Sequence, residues 1–241
     1  VPTVLHEQNA IAGMSTRILG RLARRICLSL PGTEGFDASR TVLTGNPVRA
    51  AVVALAGRQH DFSGKRLLVM GGSLGAHALN VHVCRHLDAL RAAGIEVRHQ
   101  TGVRDEAVTR EAYAAAGYDP ACVSAFIDDM ASAYAWADLV LCRAGATTVA
   151  ELCAAGLPSV LVPFPYAVHD HQTRNAQALV AEGAALMLPE ARMESDGLMA
   201  QVTDLLQDTG RLRTMAAAAS GCARVRAAEL VAAELETVCA R

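Results

Sequence analysis

The chain has 241 residues, a formal net charge of −2, 52% hydrophobic residues and only 4% aromatics. That is enough for one large or two small domains with a true core. The near-neutral charge argues against nucleic acid as a partner, and no apolar run reaches the roughly 18 residues of a spanning helix. The seven cysteines (Cys27, Cys84, Cys122, Cys142, Cys153, Cys222 and Cys239) are scattered and lie mostly in apolar runs. They read as reduced, buried thiols of a cytosolic protein. The opening residues, Val1 to Leu5, meet His6 and Glu7 at once, which is not the pattern of a secretory leader. They read as a strand entered from upstream, so a preceding segment is expected.

In chain order, residues 1–48 offer a strand (3–5), a helix (12–24), a strand (25–28) and a strand (41–43), closed by a turn at Gly45-Asn46-Pro47. The polar stretch 50–65, with Gly57, Gln59, His60, Gly64 and Lys65, reads as a connection. From Arg66 onward strands and helices alternate. Apolar runs at 67–70, 95–99, 122–124, 139–142 and 159–162 are buried strands. Helical patterns at 76–93, 104–116, 130–136, 147–155 and 172–182 lie between them. This alternation predicts a doubly wound parallel sheet. Gly94, Gly117, Gly156 and Gly183 each follow a helix as C-terminal caps. Residues 221–241 read as one Ala-rich helix with apolar positions Val225, Leu230, Val231 and Leu235.

The chemistry concentrates in 139–175, LVLCRAGATTVAELCAAGLPSVLVPFPYAVHDHQTRN. It reads as strand, Gly145 turn, helix, strand and polar loop. Thr147 or Thr148 is expected to cap the helix, whose first backbone N–H groups then face the mouth of the sheet. Glu151, about one turn in, is placed to accept hydrogen bonds from a ribose diol. Pyrophosphate on the helix end and ribose on the glutamate describe a nucleotide-diphosphate site.

Other loops add to it. Met70-Gly71-Gly72-Ser73-Leu74-Gly75-Ala76 follows a strand and opens a helix. It is neither the dinucleotide fingerprint nor Walker A, but its glycines allow close approach to phosphate and Ser73 adds a hydroxyl. In Phe126-Ile127-Asp128-Asp129-Met130, Asp128 or Asp129 caps the next helix, and the Ile127 backbone can read a flat base edge. In Asp170-His171-Gln172, Gln172 offers both donor and acceptor to sugar hydroxyls. Position 10 is Ala, so His6-Glu7-Gln8-Asn9 is not a zincin motif. His82 and His86 stand four apart with His77 near, but no Cys or carboxylate clusters with them in sequence, so a half-exposed helix face is expected. No Gly-x-Ser-x-Gly elbow or Cys–His pair offers a nucleophile.

Taken together, Leu5-His6-Glu7-Gln8-Asn9, Gly45-Asn46-Pro47-Val48-Arg49, the glycine-rich loop, the Phe126–Met130 loop, Ala146-Thr147-Thr148-Val149-Ala150-Glu151 and Asp170-His171-Gln172 resemble the MurG family in order and spacing, over essentially the whole chain. The resemblance implies a GT-B fold, with two Rossmann-like domains facing a cleft. Residues 1–48 would be the end of the N-terminal, acceptor-side domain and 49–65 the inter-domain connection. Residues 66–219 would form the donor-binding domain, and 220–241 a C-terminal helix packing on the N-terminal domain. The family's activity is transfer of N-acetylglucosamine from UDP-GlcNAc to the 4-hydroxyl of the undecaprenyl-linked muramyl-pentapeptide (lipid I), an inverting step of peptidoglycan synthesis.

On that resemblance Ile127 would meet uracil and Glu151 the ribose. Ser73, Gly72 and the backbone of Ala146, Thr147 and Thr148 would hold the phosphates, with Val149 and Ala150 in the same motif. Gln172, and less directly His171, would contact the sugar, and Asn9 and Arg49 would reach the donor from the cleft. The family's N-terminal glycine-rich loop, with its histidine, has no counterpart here, so no residue is assigned as the base. No cofactor and no metal are expected. The implied partners are UDP-GlcNAc, lipid I and a peripheral membrane contact at the cytoplasmic face of the bacterial inner membrane; the basic run Arg17, Arg21, Arg24 and Arg25 reads equally as a contact to anionic lipid and as a solvated helix face. Three other readings are open. One is a different GT-B transferase. Another is a UDP-GlcNAc epimerase, which needs carboxylates where Gln172 and His171 stand. The third is a UDP-sugar binding module that does not turn over by itself.

Overall fold

The computed structural model describes residues 2–72 and 75–240. Two parallel sheets carry the fold. The smaller has the order β1-β2-β3, built from β1 (Val4–Glu7), β2 (Arg25–Leu28) and β3 (Thr41–Leu43), with helix α1 (Met14–Gly20) between the first two. A link containing the short helix α2 (Ala50–Val53) leads to β4 (Arg66–Met70). There follow α3 (His77–Cys84), α4 (Leu87–Ala92), β5 (Glu96–Gln100), α5 (Glu106–Ala115), β6 (Val123–Ser124) and α6 (Met130–Trp136). The chain continues through β7 (Leu139–Cys142), α7 (Ala146–Ala155), β8 (Ser159–Leu161), α8 (His171–Ala181) and β9 (Ala185–Met187), and ends in α9 (Leu198–Gln207), α10 (Thr209–Cys222) and α11 (Ala227–Cys239). The larger sheet runs β6-β5-β4-β7-β8-β9, with every pairing parallel. The doubly wound parallel sheet expected from the sequence is therefore present.

The central strand shows why the pattern works. Leu67, Leu68 and Val69 of β4 are all 0% exposed, as a strand covered on both faces must be. Their side chains alternate. Leu67 and Val69 join one core layer with Leu79, Leu90, Tyr113 and Leu205, while Leu68 and Met70 join the other with Tyr134, Leu152 and Leu179. Among the described residues no helix is long and apolar enough to cross a membrane.

Four expectations change. The helix foreseen over 76–93 breaks at Arg85–His86, where His86 adopts φ −115°, ψ 10°. The imidazole is the cause: its Nδ1 takes the His82 carbonyl at 2.8 Å, while the His86 backbone N–H donates to Val83 instead, at 3.0 Å. The helix foreseen over 12–24 is only Met14–Gly20, because Ala23 turns into the small core. Residues 184–220, which showed no distinct elements, hold β9, α9 and α10. The single terminal helix is two, since Ala223 is extended (φ −64°, ψ 136°).

The final helix, α11, packs against β1 and β2, with Arg25 Nε paired to Glu234 at 3.0 Å. It buries Ala227 and Val238, whereas Val225, Leu230 and Leu235 are partly exposed. At the crossing, Gly45 (φ +85°) lies so close to Arg224 that a Cβ there would stand 2.2 Å from the Arg224 Cβ, so only glycine fits.

Candidate functional site

The order of the larger sheet reverses between β4 and β7, and crevices at such a switch point receive ligands in open α/β sheets. The last residues of these two strands, Met70 and Cys142, are register partners and line a cavity of about 630 Å³. Burial pushes the Cys142 thiol up to about 12, so it is not a nucleophile at neutral pH.

One wall is the N-terminus of α7. Gly145, extended at φ −65°, ψ 146°, is the N-cap, and no side chain caps the helix. The cap expected from Thr147 or Thr148 is thus absent. The first intrahelical bond runs from Val149 N to Gly145 O, 2.9 Å. The N–H groups of Ala146, Thr147 and Thr148 therefore have no helical acceptor and carry the positive end of the helix dipole. Gly145, Thr147, Thr148 and Glu151 line the cavity. Ala146, Val149 and Ala150 turn instead to a second cavity of about 400 Å³, because a period of about 3.6 residues cannot hold six consecutive side chains on one face. Those three contribute at most backbone to the donor side.

Glu151 is 3% exposed and already engaged. Its Oε1 accepts from Arg49 Nε at 3.0 Å and Nη2 at 2.8 Å, and its Oε2 accepts from the Tyr134 hydroxyl at 2.9 Å. Two donors saturate Oε1, leaving one lone pair on Oε2. Burial, and then the Glu151 charge, hold the Tyr134 hydroxyl well above its usual range, so it stays a donor. Arg49, placed on the donor from sequence, lines the same cavity and pairs with Glu151 while its side chain stays 55% exposed. Tyr134 carried no signal of its own, reading only as an apolar position of α6.

The opposite wall departs most from expectation. Gly71 and Gly72 both donate to Gln100 Oε1 at 3.2 Å, Gln100 Nε2 donates to Gly72 O at 3.1 Å, and Gly75 N bonds Gly72 O at 3.0 Å. The amides of Gly71, Gly72 and Gly75 thus have acceptors within the protein, whereas those of Ala146, Thr147 and Thr148 have no helical acceptor. Ser73 lies outside the described residues. The glycines serve packing: a Cβ on Gly75 (φ +75°) would stand 2.2 Å from Thr101 O. Gln100 ends β5, and its side chain ties Gly71, Gly72 and Ala125 together.

Ile127 lines the cavity, and among the described residues neither its N–H nor its C=O has a partner. Asp129 caps α6, accepting from Ser132 N at 3.0 Å. Gln172 also lines the cavity, but its Oε1 is taken by Ala144 N at 3.2 Å and Phe164 N at 2.9 Å, leaving only the NH₂ donors for a sugar. His171 is outside the wall, its Nδ1 bonded to Val168 O at 2.8 Å. Asn9 is outside it too. Its Oδ1 accepts from Asn175 Nδ2 at 3.1 Å, and Asn175, 0% exposed, also takes Ala10 N at 2.9 Å. Asn9 thus joins the small sheet to the large one. Arg143, missed from sequence, lines the cavity. It is anchored by Val162 O at 3.1 Å, Pro163 O at 3.2 Å and the Glu190 carboxylate.

Comparison with known proteins places the family and the fold. The sequence profile of the glycosyltransferase family 28 C-terminal domain matches residues 66–231. A UDP-N-acetylglucosamine–N-acetylmuramyl-(pentapeptide) pyrophosphoryl-undecaprenol N-acetylglucosamine transferase of Nitratidesulfovibrio vulgaris strain Hildenborough is 52% identical over 234 residues, covering 95% of this chain and 64% of that protein. Its counterpart from strain Miyazaki F is 50% identical, covering 99% and 68%. The crystal structure of Acinetobacter baumannii MurG superposes with a TM-score of 0.80 at 36% identity, over 98% of this chain and 68% of that one. The chain thus spans about two thirds of the length of these relatives, and its parallel α/β architecture is that of the GT-B fold. By profile, identity and superposition, the chain belongs to the MurG family of glycosyltransferases, within glycosyltransferase family 28.

Proposed function

We infer that this chain supplies the UDP-GlcNAc site of an enzyme that transfers N-acetylglucosamine to the 4-hydroxyl of lipid I. The observation that carries the reading is the pairing of unpartnered α7 amides with a buried carboxylate one turn on, at the switch point of the sheet. The diphosphate would sit on the N–H groups of Ala146, Thr147 and Thr148. Uracil would meet the backbone of Ile127, the ribose diol the open lone pair of Glu151 Oε2, and the sugar the NH₂ of Gln172.

In the reaction, the acceptor oxygen bonds to the anomeric carbon while the bond from that carbon to the phosphate oxygen breaks. UDP leaves with the electron pair, and the acceptor proton passes to a base that no residue here is assigned to be. Charge grows on the diphosphate, where α7 and the buried Arg143 stabilise it, so neither a cofactor nor a covalent intermediate is required. An acceptor with a polyprenyl chain would bring the protein to the cytoplasmic face of the inner membrane as a peripheral partner.

Calorimetric titration with UDP tests the donor site. The 241-residue chain is expected to bind UDP without turning over lipid I. Glu151→Gln keeps the shape, removes the charge, and is expected to weaken binding about tenfold, or about 1.4 kcal/mol. An unchanged dissociation constant would remove the ribose role, and failure of the wild type to bind UDP would remove the reading itself.

A further inference from the structure

Away from the donor cavity, three metal-ligating side chains converge. His82 lies on the buried face of α3, and His86 is the residue whose ring breaks that helix from α4. Glu194 comes from the loop behind the turn Glu190–Arg192, more than a hundred residues downstream. The carboxylate that the sequence does not place near the two histidines is brought there by the fold. One ligand atom from each of the three lies within 4.8 Å of the other two. His82 Nδ1 and Glu194 Oε2 are 3.3 Å apart, and the two imidazoles lie 4.6 Å centroid to centroid, inclined at 40°.

His82 is buried beside a carboxylate, and neither neutral tautomer satisfies both of its ring nitrogens. Its side chain is 6% exposed, its Nδ1 faces a carboxylate, and its Nε2 has no hydrogen-bond partner among the described residues. A neutral imidazole has one N–H and one lone pair. With the proton on Nδ1, the buried Nε2 lone pair is orphaned. With it on Nε2, the Nδ1 lone pair and the carboxylate, both acceptors, confront each other. A cation between Nδ1 and the carboxylate removes that confrontation, and the Nε2 proton then faces the interior without an acceptor among the described residues. The 3.3 Å separation also equals the span of about 3.3 Å between two ligand atoms of a tetrahedral ion with bonds of about 2.0–2.1 Å. His86 is prepared for the same role. Its Nδ1 is held by the His82 carbonyl at 2.8 Å, which fixes the ring and leaves Nε2 for an ion.

We propose that His82, His86 and Glu194 form a binding site for a divalent transition-metal ion of the zinc, cobalt or nickel class. Two imidazoles and one carboxylate favour such ions over magnesium or calcium, which take oxygen ligands. A fourth position is open to water, because His82 and Glu194 line a cavity of about 480 Å³. None of the three ligands lines the donor cavity, so the ion is a staple between the α3–α4 break and the loop at 190–194 rather than a participant in transfer. That loop also carries Glu190, the carboxylate that holds Arg143. The inference stands independently of the donor reading.

Titration of the 241-residue protein with Co²⁺, followed by visible absorption, tests it. The expected result is saturable binding of one equivalent with the intense d–d spectrum of a tetrahedral site, displaced by Zn²⁺. His86→Gln and Glu194→Gln should each weaken Co²⁺ binding by at least about tenfold with unchanged far-ultraviolet circular dichroism. Glu194, with its side chain 72% exposed, keeps the test decisive if the His86 variant fails to fold. Absence of saturable binding, equal binding in the Glu194 variant, or a thiolate-to-cobalt charge-transfer band showing that cysteines hold the ion would each overturn the proposal.

Discussion

Arg49→Ala is expected to destabilise the fold by about 2–4 kcal/mol, more than an ordinary surface arginine would. Glu151 is 3% exposed, and two of its three hydrogen bonds come from the Arg49 guanidinium. Removing that partner strands a carboxylate in the interior with the Tyr134 hydroxyl alone. Breaking a fully buried pair costs about 3–5 kcal/mol. The lower range here reflects the Arg49 side chain, which is 55% exposed and whose attraction is screened by solvent.

The double variant Arg49→Ala/Glu151→Gln separates charge from packing. A neutral amide in place of the stranded anion is expected to recover part of the loss, so the double variant should be more stable than Arg49→Ala alone. Urea unfolding of the three proteins measures this. An Arg49→Ala midpoint equal to wild type, or a double variant less stable than the single, would show that Glu151 does not depend on Arg49. The pair bridges residues 102 apart, from the start of the link at Arg49 to α7 on the wall of the cavity. The same substitution should therefore also loosen the link.

Stability is expected to fall as pH drops from 6.5 towards 4, by about 1.4 kcal/mol per unit and about 3 kcal/mol in all, because of one residue. His99 on β5 is 0% exposed, and burial lowers its pKa to about 3. Its Nε2 donates to Asn80 Oδ1 at 3.0 Å and its Nδ1 accepts from the Tyr113 hydroxyl at 3.0 Å, an arrangement that only the neutral ring satisfies. Asn80 in turn donates to Asp105 at 2.8 Å.

Between about pH 6.5 and 3 the unfolded chain holds a proton on His99 that the folded chain does not. Stability therefore rises with pH across that window and is fully present above it. His60 and His82 are shifted in the same direction by burial, so the test is the difference in slope between wild type and His99→Gln. A variant whose stability is less dependent on pH in this window is the expected result. Parallel slopes would mean that His99 titrates normally.

The strands and helices of the large domain were legible because they rest on local patterns. A continuous apolar run such as Leu139–Cys142 or a periodic one such as Met130–Trp136 buries itself the same way in almost any parallel sheet. Even so, boundaries moved wherever a side chain captured a backbone group, as His86 did with the His82 carbonyl. In the region 184–220, α10 is Ala-rich and carries little contrast between faces, whereas α9 has a clear amphipathic pattern, burying Leu198, Met199, Val202, Leu205 and Leu206, that the sequence reading passed over.

The sequence by itself determined a doubly wound parallel sheet, the family, and the loops at the mouth of that sheet, including Ile127, Thr147, Thr148, Glu151 and Gln172 on the wall of one cavity. Which polar groups in those loops remain open to a ligand was decided only by the tertiary structure. Gln100 takes the amides of Gly71 and Gly72, Arg49 and Tyr134 occupy Glu151, Ala144 and Phe164 take the Gln172 carbonyl, and Glu194 reaches His82. The physical reason is that a backbone pattern depends on neighbours a few residues away. The partner of a buried donor or acceptor is whichever group the packing brings within about 3 Å, often from the far end of the chain.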